Sequence, residues 1–465
     1  MKLCFSHYPA LLVGLFLLFG TLFALQTPWV LLPVFAVFFL VQKNEAPPLV
    51  VIFLLPLPFF YHSYHFPISQ IEIEGVLHIQ SKTPVEGFAK GWLYQGILSS
   101  QEGRTPCRIR SKEPYPANCH YKIQGTLSKG SGPFYKLKTD QPWIAIEKCL
   151  SPVEWRLKSR GAIKKYISQR YASQTAATFL TTLVSGEGND RLMRKAFNQL
   201  GLSHLIAVSG LHFALLICLF HLLFRLFLPP KIEAIGLILL ATLYFLLVGN
   251  ASAERAWLIV MIFLIGELIE KRTSSLNALG VALIGSLLLH PMSALSLGFQ
   301  LSFLATAGIL FLYRPIEQGL RVWIPKLKIQ QIMQHSILWQ QGYIVLSFFR
   351  KTLALNLAVH LALLPLFLLY FHSFSLNSLV YNLFFPYLLS LSLILFIIAL
   401  ALGDWLHALN NSYTQWLLKI TESPPLLFKT FYLETIPHWV VAAYLTALFL
   451  IAVRWQIEDP AYQES

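Results

Sequence analysis

Long apolar runs occupy most of this 465-residue sequence. Runs such as 232–248 and 376–402 are close to, or longer than, the roughly 20 apolar residues that an α-helix needs to cross a bilayer. Only 12% of the residues are charged, which is about half of the share typical of soluble domains. The sequence therefore predicts a polytopic α-helical membrane protein and excludes an ordinary cytosolic enzyme.

We expect about 11 membrane spans, some of them broken because several runs are short or contain proline. The candidate spans are 11–25, 29–41, 49–60, 204–228, 232–248, 253–269, 276–289, 297–313, 352–371, 376–402 and 438–453.

A segment of different composition separates the first three spans from the others. Residues 66–150 contain short strand-like runs divided by turn material such as 129–133 (KGSGP). Five or six strands in about 80 residues favour a small β-barrel of OB type, and a generic β-sandwich is the alternative. The predicted strands are 70–80, 89–98, 104–110, 120–127, 134–138 and 143–147.

These patterns divide the chain into successive parts. They are transmembrane helices over 1–65, an extracytoplasmic OB-like β domain over 66–150, a basic amphipathic helical segment over 151–200, a transmembrane domain over 201–455 and a polar tail over 456–465. The division predicts a membrane protein with one folded domain outside the bilayer.

Basic residues predict the orientation and one class of partner. Lys2 and Lys43 flank the first spans and belong in the cytoplasm by the positive-inside rule, which places residues about 66–200 outside. Residues 61–175 hold 17 Lys and Arg against 8 Asp and Glu, a net charge of +9 out of +14 for the chain. Phosphate chains or anionic lipid headgroups are attracted to such a surface.

The segment 201–213 (GLSHLIAVSGLHF) opens a predicted span with an unusual density of polar groups. Polar side chains cost several kcal/mol in hydrocarbon unless they find partners or water. His204 and His212 are eight residues apart, so on one helix both can line one face. They would be separated by about 12 Å, too far to share a metal ion. The alternative is that both histidines only form hydrogen bonds between helices.

The segment 201–213 resembles the signature of the ComEC-type competence proteins. Three further stretches are similar to that family in the same order, and together the resemblance covers about 170–410, with the β domain matching more loosely. They are 249–256 (GNASAERA), 277–303 ending in GFQLSF, and the region of Pro365, 377–382 and Pro386.

The resemblance implies an inner-membrane (plasma-membrane) channel that takes up single-stranded DNA during natural transformation, with 201–455 as its channel domain. The implied partners are single-stranded DNA, the lipid bilayer, a periplasmic DNA receptor, a cytoplasmic DNA translocase and a separate nuclease. Longer relatives add a metallo-β-lactamase-like domain, whose His-x-His-x-Asp-His cluster is absent from this sequence. We therefore expect a short form without enzyme activity, metal or cofactor, and leave its oligomeric state open.

Within this resemblance, polar residues at the span entrances are the candidate DNA path. A guanidinium can grip a phosphate with two hydrogen bonds, although Arg255 could instead pair with Glu254 at the headgroup boundary. Interhelical hydrogen bonding is the alternative for the other polar groups. The candidate path residues are His204, Ser209, His212, Arg255, Gln300 and Ser302. Gly201 and Gly210 are expected to allow close helix approach or a break, and Gly298 is a further structural glycine of the motifs.

The β domain carries a second candidate DNA site. Single-strand binders combine stacking rings with a basic groove, although about half of the rings in a small barrel are expected to fill its core. The candidates are Trp92, Tyr94, Arg104, Arg108, Arg110, Lys136 and Lys138. Cys107 and Cys119 flank a predicted hairpin outside the cytoplasm, so we expect them to form a disulfide, with Cys149 as the competing partner.

Two other functions compete with a DNA channel. The stretch 207–210 resembles the G-x-S-G motif of rhomboid intramembrane proteases, but Ala207 breaks the motif and His212 is only three residues from Ser209. A small-molecule or polyanion transporter usually has two repeated halves with matching broken helices, and no such repeat is evident. The DNA channel is the leading hypothesis.

Overall fold

The computed structural model describes residues 8–24, 52, 56, 70–85, 91–130, 134–139, 141–186, 188, 190–206, 210–271, 273–422, 430–432 and 437–458. Most of the predicted spans 29–41 and 49–60, and the candidate residue Ser209, lie outside these described residues. The described chain is mostly helical, with a small sheet domain following the first helix.

The elements follow one another in this order. The helices are α1 (Pro9–Ala24), α2 (Pro152–Arg170), α3 (Gln174–Ser185), α4 (Arg191–Gln199), α5 (Ser203–Ile206), α6 (Gly210–Phe224), α7 (Pro230–Val248), α8 (Ala251–Leu268), α9 (Ser275–Leu289), α10 (Leu297–Leu320), α11 (Ile329–Met333), α12 (Ile337–Phe371), α13 (Asn377–Tyr381), α14 (Phe385–Leu402), α15 (Asp404–Glu422) and α16 (His438–Glu458). The strands are β1 (Ile71–Val85), β2 (Gly91–Ser100), β3 (Gly103–Ser111), β4 (Cys119–Ser128), β5 (Tyr135–Thr139), β6 (Ile144–Lys148), β7 (Ser373–Ser375) and β8 (Thr430–Tyr432).

The small sheet domain contains β1 to β6, which correspond to the six predicted strands with shifted ends. Side chains alternate between core and surface, and β4 buries Tyr121, Ile123 and Leu127 while Lys122 and Gln124 are exposed. The pairing order is β1-β2-β3-β5-β4-β6, and β1 also pairs with β4. The first five strands therefore form a closed cycle of hydrogen-bonded pairs, in which β4 pairs with β1.

Helix α2 contacts both the sheet domain and the helical region. Near its start, the Glu154 carboxylate accepts hydrogen bonds from the Ala117 backbone N–H at 2.6 Å and from the Lys82 ammonium at 3.0 Å. Two residues later, Arg156 Nε donates to the Leu246 carbonyl at 2.8 Å, among the last carbonyls of α7. A cation is favoured at a helix carboxyl end, so these contacts attach the sheet domain to the end of α7.

The helical region has the apolar helices expected of a membrane protein. Within the described residues, four helices are long and apolar enough to cross a bilayer: α7, α10, α12 and α14. Shorter apolar helices cover Pro9–Leu22, Gly210–Phe224, Ser275–Leu289 and His438–Ala452. The count of about 11 spans stays a prediction.

Small residues bring the apolar helices close together. A Cβ at Gly280 of α9 would lie 2.3 Å from the backbone of Ala10 in α1, and a Cβ at Gly308 of α10 would lie 2.6 Å from Ala362 Cβ in α12. Close backbone approach of this kind is the usual way in which membrane helices associate. The two contacts hold α1 against α9 and α10 against α12.

Candidate functional site

The four stretches that resemble the competence proteins meet inside the helical region. Gly201, from the first stretch, packs on Ser378, from the last. Arg255, from the second, donates a hydrogen bond to the carbonyl of Gly298, from the third. Segments far apart in the sequence therefore form two neighbouring polar contacts between helices.

The first polar contact is a group of three histidines, His204, His212 and His360, which we call the histidine cluster. His204 is solvent-accessible and lies against the Gly201 backbone and the Asn382 side chain, within electrostatic reach of His360. His212 is only 2% exposed and interacts electrostatically with His204. The prediction placed His204 and His212 on one helix, whereas the structure has them on α5 and α6, with 207–209 outside the described residues.

His360 connects α12 to the short helix α13. Its Nδ1 lies 2.8 Å from the Asn356 carbonyl, and its Nε2 lies 2.8 Å from the Ser378 hydroxyl. Because a carbonyl only accepts, Nδ1 carries the proton that it donates to Asn356. The single proton of the Ser378 hydroxyl is shared between His360 Nε2 and the Ser375 carbonyl, which lies 2.7 Å from the hydroxyl oxygen. Asn356 Nδ2 also donates to the Leu379 carbonyl at 2.6 Å. Asn356 and His360, one turn apart on α12, together hold α13 against α12.

Of the three glycines singled out from the sequence, one has the expected packing role. Gly201 has φ +71°, a backbone conformation that disfavours larger residues, and a Cβ there would lie 2.6 Å from Ser378 Cβ. Both the backbone conformation and this contact therefore exclude a larger residue. A Cβ at Gly210, the first residue of α6, would meet only Ala256 at 4.0 Å, and one at Gly298 would meet nothing within 4 Å. Gly298 contributes its backbone carbonyl to Arg255.

Arg255 is buried among aromatic side chains and is only 3% exposed. Its Nη2 donates to the Gly298 carbonyl at 2.9 Å, and its guanidinium carbon lies 5.3 Å from the Phe303 ring centre and 5.7 Å from that of Phe299. Within the described residues, Nε and Nη1 have no hydrogen-bond partner. Glu254 lies 4.0 Å from His290 and also interacts electrostatically with Arg255. The alternative of an arginine reaching headgroup water therefore does not describe this side chain.

Gln300 and Ser302 follow one another along α10. Gln300 Nε2 donates to the Ala294 carbonyl at 3.0 Å, and its Oε1 accepts from the Tyr370 hydroxyl of α12 at 3.1 Å. The half-buried Ser302 accepts, through its carbonyl, a bond from Thr306 Oγ1 at 2.9 Å. Gln300 thus forms the interhelical hydrogen bond that was the alternative to a place on the DNA path.

Two contacts that involve a buried carboxylate were not predicted from the sequence. His221 of α6 pairs with Glu233 of α7, whose side chain is 7% exposed, and Arg350 Nε lies 3.1 Å from the Glu317 carboxylate. The sequence could have predicted a contact for Glu233, because a carboxylate inside a predicted span requires a partner. Arg350 gave no such signal, since it lies in a basic stretch that is typical of a solvated loop.

In the sheet domain, the predicted basic residues share one outer surface. Strand β3 buries Cys107 and Ile109, so the alternate residues point outward, and β3 pairs with β5 so that Arg108 is opposite Lys136. The Arg108 guanidinium lies 5.5 Å from the Phe134 ring centre. We call this surface the basic face; it consists of Arg104, Arg108, Arg110, Lys136 and Lys138.

The two aromatic candidates of the sheet domain have different roles. Tyr94 is fully buried, its hydroxyl accepts from the Tyr115 N–H at 2.7 Å, and burial raises the pKa of Tyr94 to about 12. Its proposed role in stacking against DNA is wrong, because the ring fills the core beside Trp143. Trp92 is half-buried, with the Lys82 ammonium 4.7 Å from its ring centre.

The predicted disulfide between Cys107 and Cys119 is not formed, and both cysteines are free thiols. The hairpin on which the prediction depended does not exist, because β5 lies between β3 and β4 in the sheet. Cys107 is enclosed in the core, and burial raises the pKa of its thiol to about 12. Cys119 lies beside the end of β6. There the backbone N–H of Cys149 donates to the carbonyl of Asn118, the residue before Cys119, at 2.8 Å.

Comparison with known proteins agrees with this arrangement of motifs. The family model described as "Competence protein" matches residues 183–458, which is more than half of the chain. The chain belongs to the competence protein family. The matched region begins in α3 and contains the histidine cluster, Arg255 and both partners of its contacts.

A curated relative supports the family membership over a shorter region. The chain is 32% identical over 189 residues to ComE operon protein 3 of Bacillus subtilis (strain 168), a match that covers 40% of this chain and 21% of that protein. No solved structure matches the chain. Among the described residues, no group of three or more His, Cys, Asp or Glu side chains is placed to hold a metal ion.

Proposed function

We propose that this competence protein conducts single-stranded DNA across the inner membrane during natural transformation, and that it has no enzyme activity of its own. In this proposal the sheet domain receives the strand on the outer side, and the helical region carries it inward. A periplasmic DNA receptor, a cytoplasmic DNA translocase and a separate nuclease are the proposed partners. Membership of the competence family supports the role in DNA uptake.

The proposal rests on Arg255, whose guanidinium is buried and only partly hydrogen-bonded. Burying a guanidinium among rings in an apolar region costs free energy, so such a charge is usually kept because it has a function. Charges of this kind mark the paths of ions and substrates. Two of its nitrogens lack a partner among the described residues, while the third is held by Gly298. A phosphate oxygen is the acceptor that best fits such a fork.

The sheet domain supplies the second part of the argument. The pairing of β1 with both β2 and β4 supports the proposal that this domain is an OB-type barrel, a fold that binds oligonucleotides. The basic face offers exposed Arg104, Arg110, Lys136 and Lys138 around the half-buried ring of Phe134. Positive charge next to a partly accessible ring suits a single strand, since phosphates and bases can be contacted together.

The test is DNA uptake in strains that carry Arg255→Ala or Arg255→Lys. We expect Arg255→Ala to lower uptake about tenfold or more, the effect of losing one charge-assisted hydrogen bond. Arg255→Lys should retain part of the activity, because the charge survives and the fork does not. Arg225→Ala, at an exposed position just after α6, is the matched control and should leave uptake unchanged.

Protein level in the membrane is measured in the same strains, so that loss of folding is separated from loss of function. Normal uptake by Arg255→Ala at a normal protein level would contradict the proposal. Equal loss of uptake in the alanine and lysine variants, again at normal level, would show that the contact requires the full guanidinium.

A further inference from the structure

A cavity of about 410 Å³ lies among the helices α1, α9, α10, α12 and α16. Its volume is within the range of sites that hold small organic ligands. On α10 the residues that line it extend from Phe299 to Leu312, which is about 20 Å along a helix axis. The cavity is therefore long and narrow, and it follows a helix that is apolar enough to cross a bilayer.

Most of the described side chains that line the cavity are apolar. The polar exceptions are Gln300, Tyr370, Thr446 and His438. Thr446 donates to the Ala442 carbonyl at 2.8 Å, so its hydroxyl needs no partner from the cavity. A water molecule is held only where about two to four polar groups bind it. The interior of the cavity therefore has no affinity for water.

The other polar residues lie together at one end of the cavity. The Tyr370 hydroxyl, at the end of α12, donates to Gln300 Oε1 at the start of α10 at 3.1 Å. His438 begins α16, and Phe449 lies 11 residues after it, just as Phe311 lies 11 residues after Gln300. The rings of Phe311 and Phe449 are in contact, with centres 5.6 Å apart, so α10 and α16 run in the same direction. The cavity thus has a polar rim at one end and an apolar interior beyond it.

The apolar lining restricts what can occupy the cavity. An empty space of this size is unfavourable, because the side chains around it lose van der Waals contacts. Water and polyanions are excluded by the lack of polar partners, whereas a bilayer supplies lipid acyl chains to any apolar space between its helices. The acyl chains of one leaflet fill about 15 Å, half of the hydrocarbon core. A cavity about 20 Å long therefore accommodates an acyl chain that enters at the rim.

We propose that this cavity binds one acyl chain of a membrane phospholipid, and we call it the chain site. The chain lies along α10 and contacts α1 and α16, while the polar part of the lipid stays at the rim, where Tyr370 and His438 are exposed. Phe299 and Phe303 line the chain site, and the same two rings lie against Arg255. A bound chain therefore packs against the rings that enclose this guanidinium. The inference does not depend on conduction of DNA.

The first measurement is the lipid that remains with the full-length protein. The protein is reconstituted in nanodiscs of phosphatidylethanolamine and phosphatidylglycerol, extracted into a mild detergent, washed, and analysed by native mass spectrometry. We expect one retained phospholipid per chain at low and at high salt alike, because salt screens charges and leaves apolar contacts in place. Complete loss of lipid during the wash would overturn the chain site.

Photo-crosslinking then locates the retained chain. The nanodiscs include a phospholipid with a diazirine at the terminal carbon of one acyl chain, and the washed protein is irradiated. We expect adducts on Phe311, Leu312 or Phe449, which line the cavity far from its rim. Adducts confined to residues outside the cavity, such as Leu239 on α7, would show a lipid bound to the outer surface of the helices and would overturn the proposal.

Two variants fill the cavity from different walls. Ala307→Phe adds a ring on α10, and Ala442→Leu adds a branched side chain on α16. Each should lower the retained lipid about tenfold, because overlap with the new side chain costs binding what overpacking costs a core. Leu239→Phe, at a position that is 60% exposed on α7, is the matched control and should change nothing.

The thermal stability of each variant is measured alongside, so that loss of lipid is separated from loss of folding. Lipid retained at the wild-type level by either filled variant, in folded protein, would overturn the chain site. Another part of the chain in the cavity would give a wild-type protein that retains no lipid and forms no adduct on the lining. That result would also overturn the chain site, and it would leave the proposed role of Arg255 in DNA uptake unaffected.

Discussion

At the scale of single residues, Glu154 shows how one carboxylate joins two parts of the molecule. It accepts from the Ala117 N–H in the sheet domain and from Lys82 on β1, while its own backbone belongs to α2. Burial acts to raise the pKa of Glu154, but these two partners outweigh burial and hold that pKa below its ordinary value. The contact is therefore a stabilising interaction of the charged form.

The lowered pKa of Glu154 predicts a pH dependence. The stabilisation is complete above the ordinary carboxyl pKa of 4.5 and is lost as pH falls through the lower pKa of the folded state. At pH 7, Glu154→Gln should cost about 1–3 kcal/mol and lower Tm, and the difference from wild type should shrink toward pH 3. Glu74→Gln, which removes an exposed pair with Lys122, is the control and should have little effect. A Tm difference that does not change with pH would contradict this account.

Arg255 illustrates what the sequence can and cannot predict about a residue. A charged side chain at the start of an apolar run is visible in the sequence, and its importance was predicted from it. Its partner Gly298 is 43 residues away and contributes a backbone carbonyl, which every residue possesses. No local pattern distinguishes that carbonyl, so the burial of Arg255 between Phe299 and Phe303 became evident only from the fold.

At the scale of elements, most strands and apolar helices were predictable, and their neighbours were not. The structure divides the predicted span 376–402 into α13 and α14, and α12 begins 15 residues before the predicted span 352–371. Strict alternation identified β4, and an unbroken apolar run identified α9, because each pattern depends only on adjacent residues. The insertion of β5 between β3 and β4 depends on pairing that no local pattern records. The loss of the predicted Cys107–Cys119 hairpin follows from that single insertion.

The contact between α1 and α9 gives a prediction at this scale. Gly280→Ala would place a Cβ 2.3 Å from the Ala10 backbone, so the two helices must separate. We expect a loss of about 1–3 kcal/mol in the free energy of unfolding, measured as a lower Tm in detergent. Gly285→Ala, on the same helix, meets only the Leu258 side chain at 3.5 Å and is the control. Equal Tm values for the two variants would show that α1 does not pack here.

At the scale of the whole molecule, the sheet domain and Arg255 belong to the same end of the structure. Arg156 binds the last carbonyls of α7, and the turn that follows leads directly to Arg255 at the start of α8. The basic face and the buried guanidinium are thus connected through one helix, α2. This arrangement suits a polyanion that is first bound on the outside and then passed to the helical region.

The basic face gives a prediction about binding by the full chain. Arg108→Gln with Lys136→Gln should weaken oligonucleotide binding and reduce the slope of log affinity against log salt by about 0.7 for each phosphate contact removed. Lys122→Gln, on β4 and paired with Glu74, removes a positive charge outside the basic face and is the control. An unchanged slope in the double variant would exclude this face as the site of phosphate contact.

The central claim is that single-stranded DNA crosses the helical region along the path predicted from the sequence, to which His204 and Arg255 belong, and thiol labelling tests it most directly. His204→Cys is made in a chain whose Cys4, Cys149 and Cys218 are replaced by Ser, and its reaction with a membrane-impermeant maleimide is timed with and without single-stranded DNA. We predict that this thiol reacts, that DNA slows the reaction several-fold, and that Ala282→Cys, fully buried between helices, stays inert. A thiol at 204 that is inert, or that reacts at the same rate with DNA present, would contradict the claim.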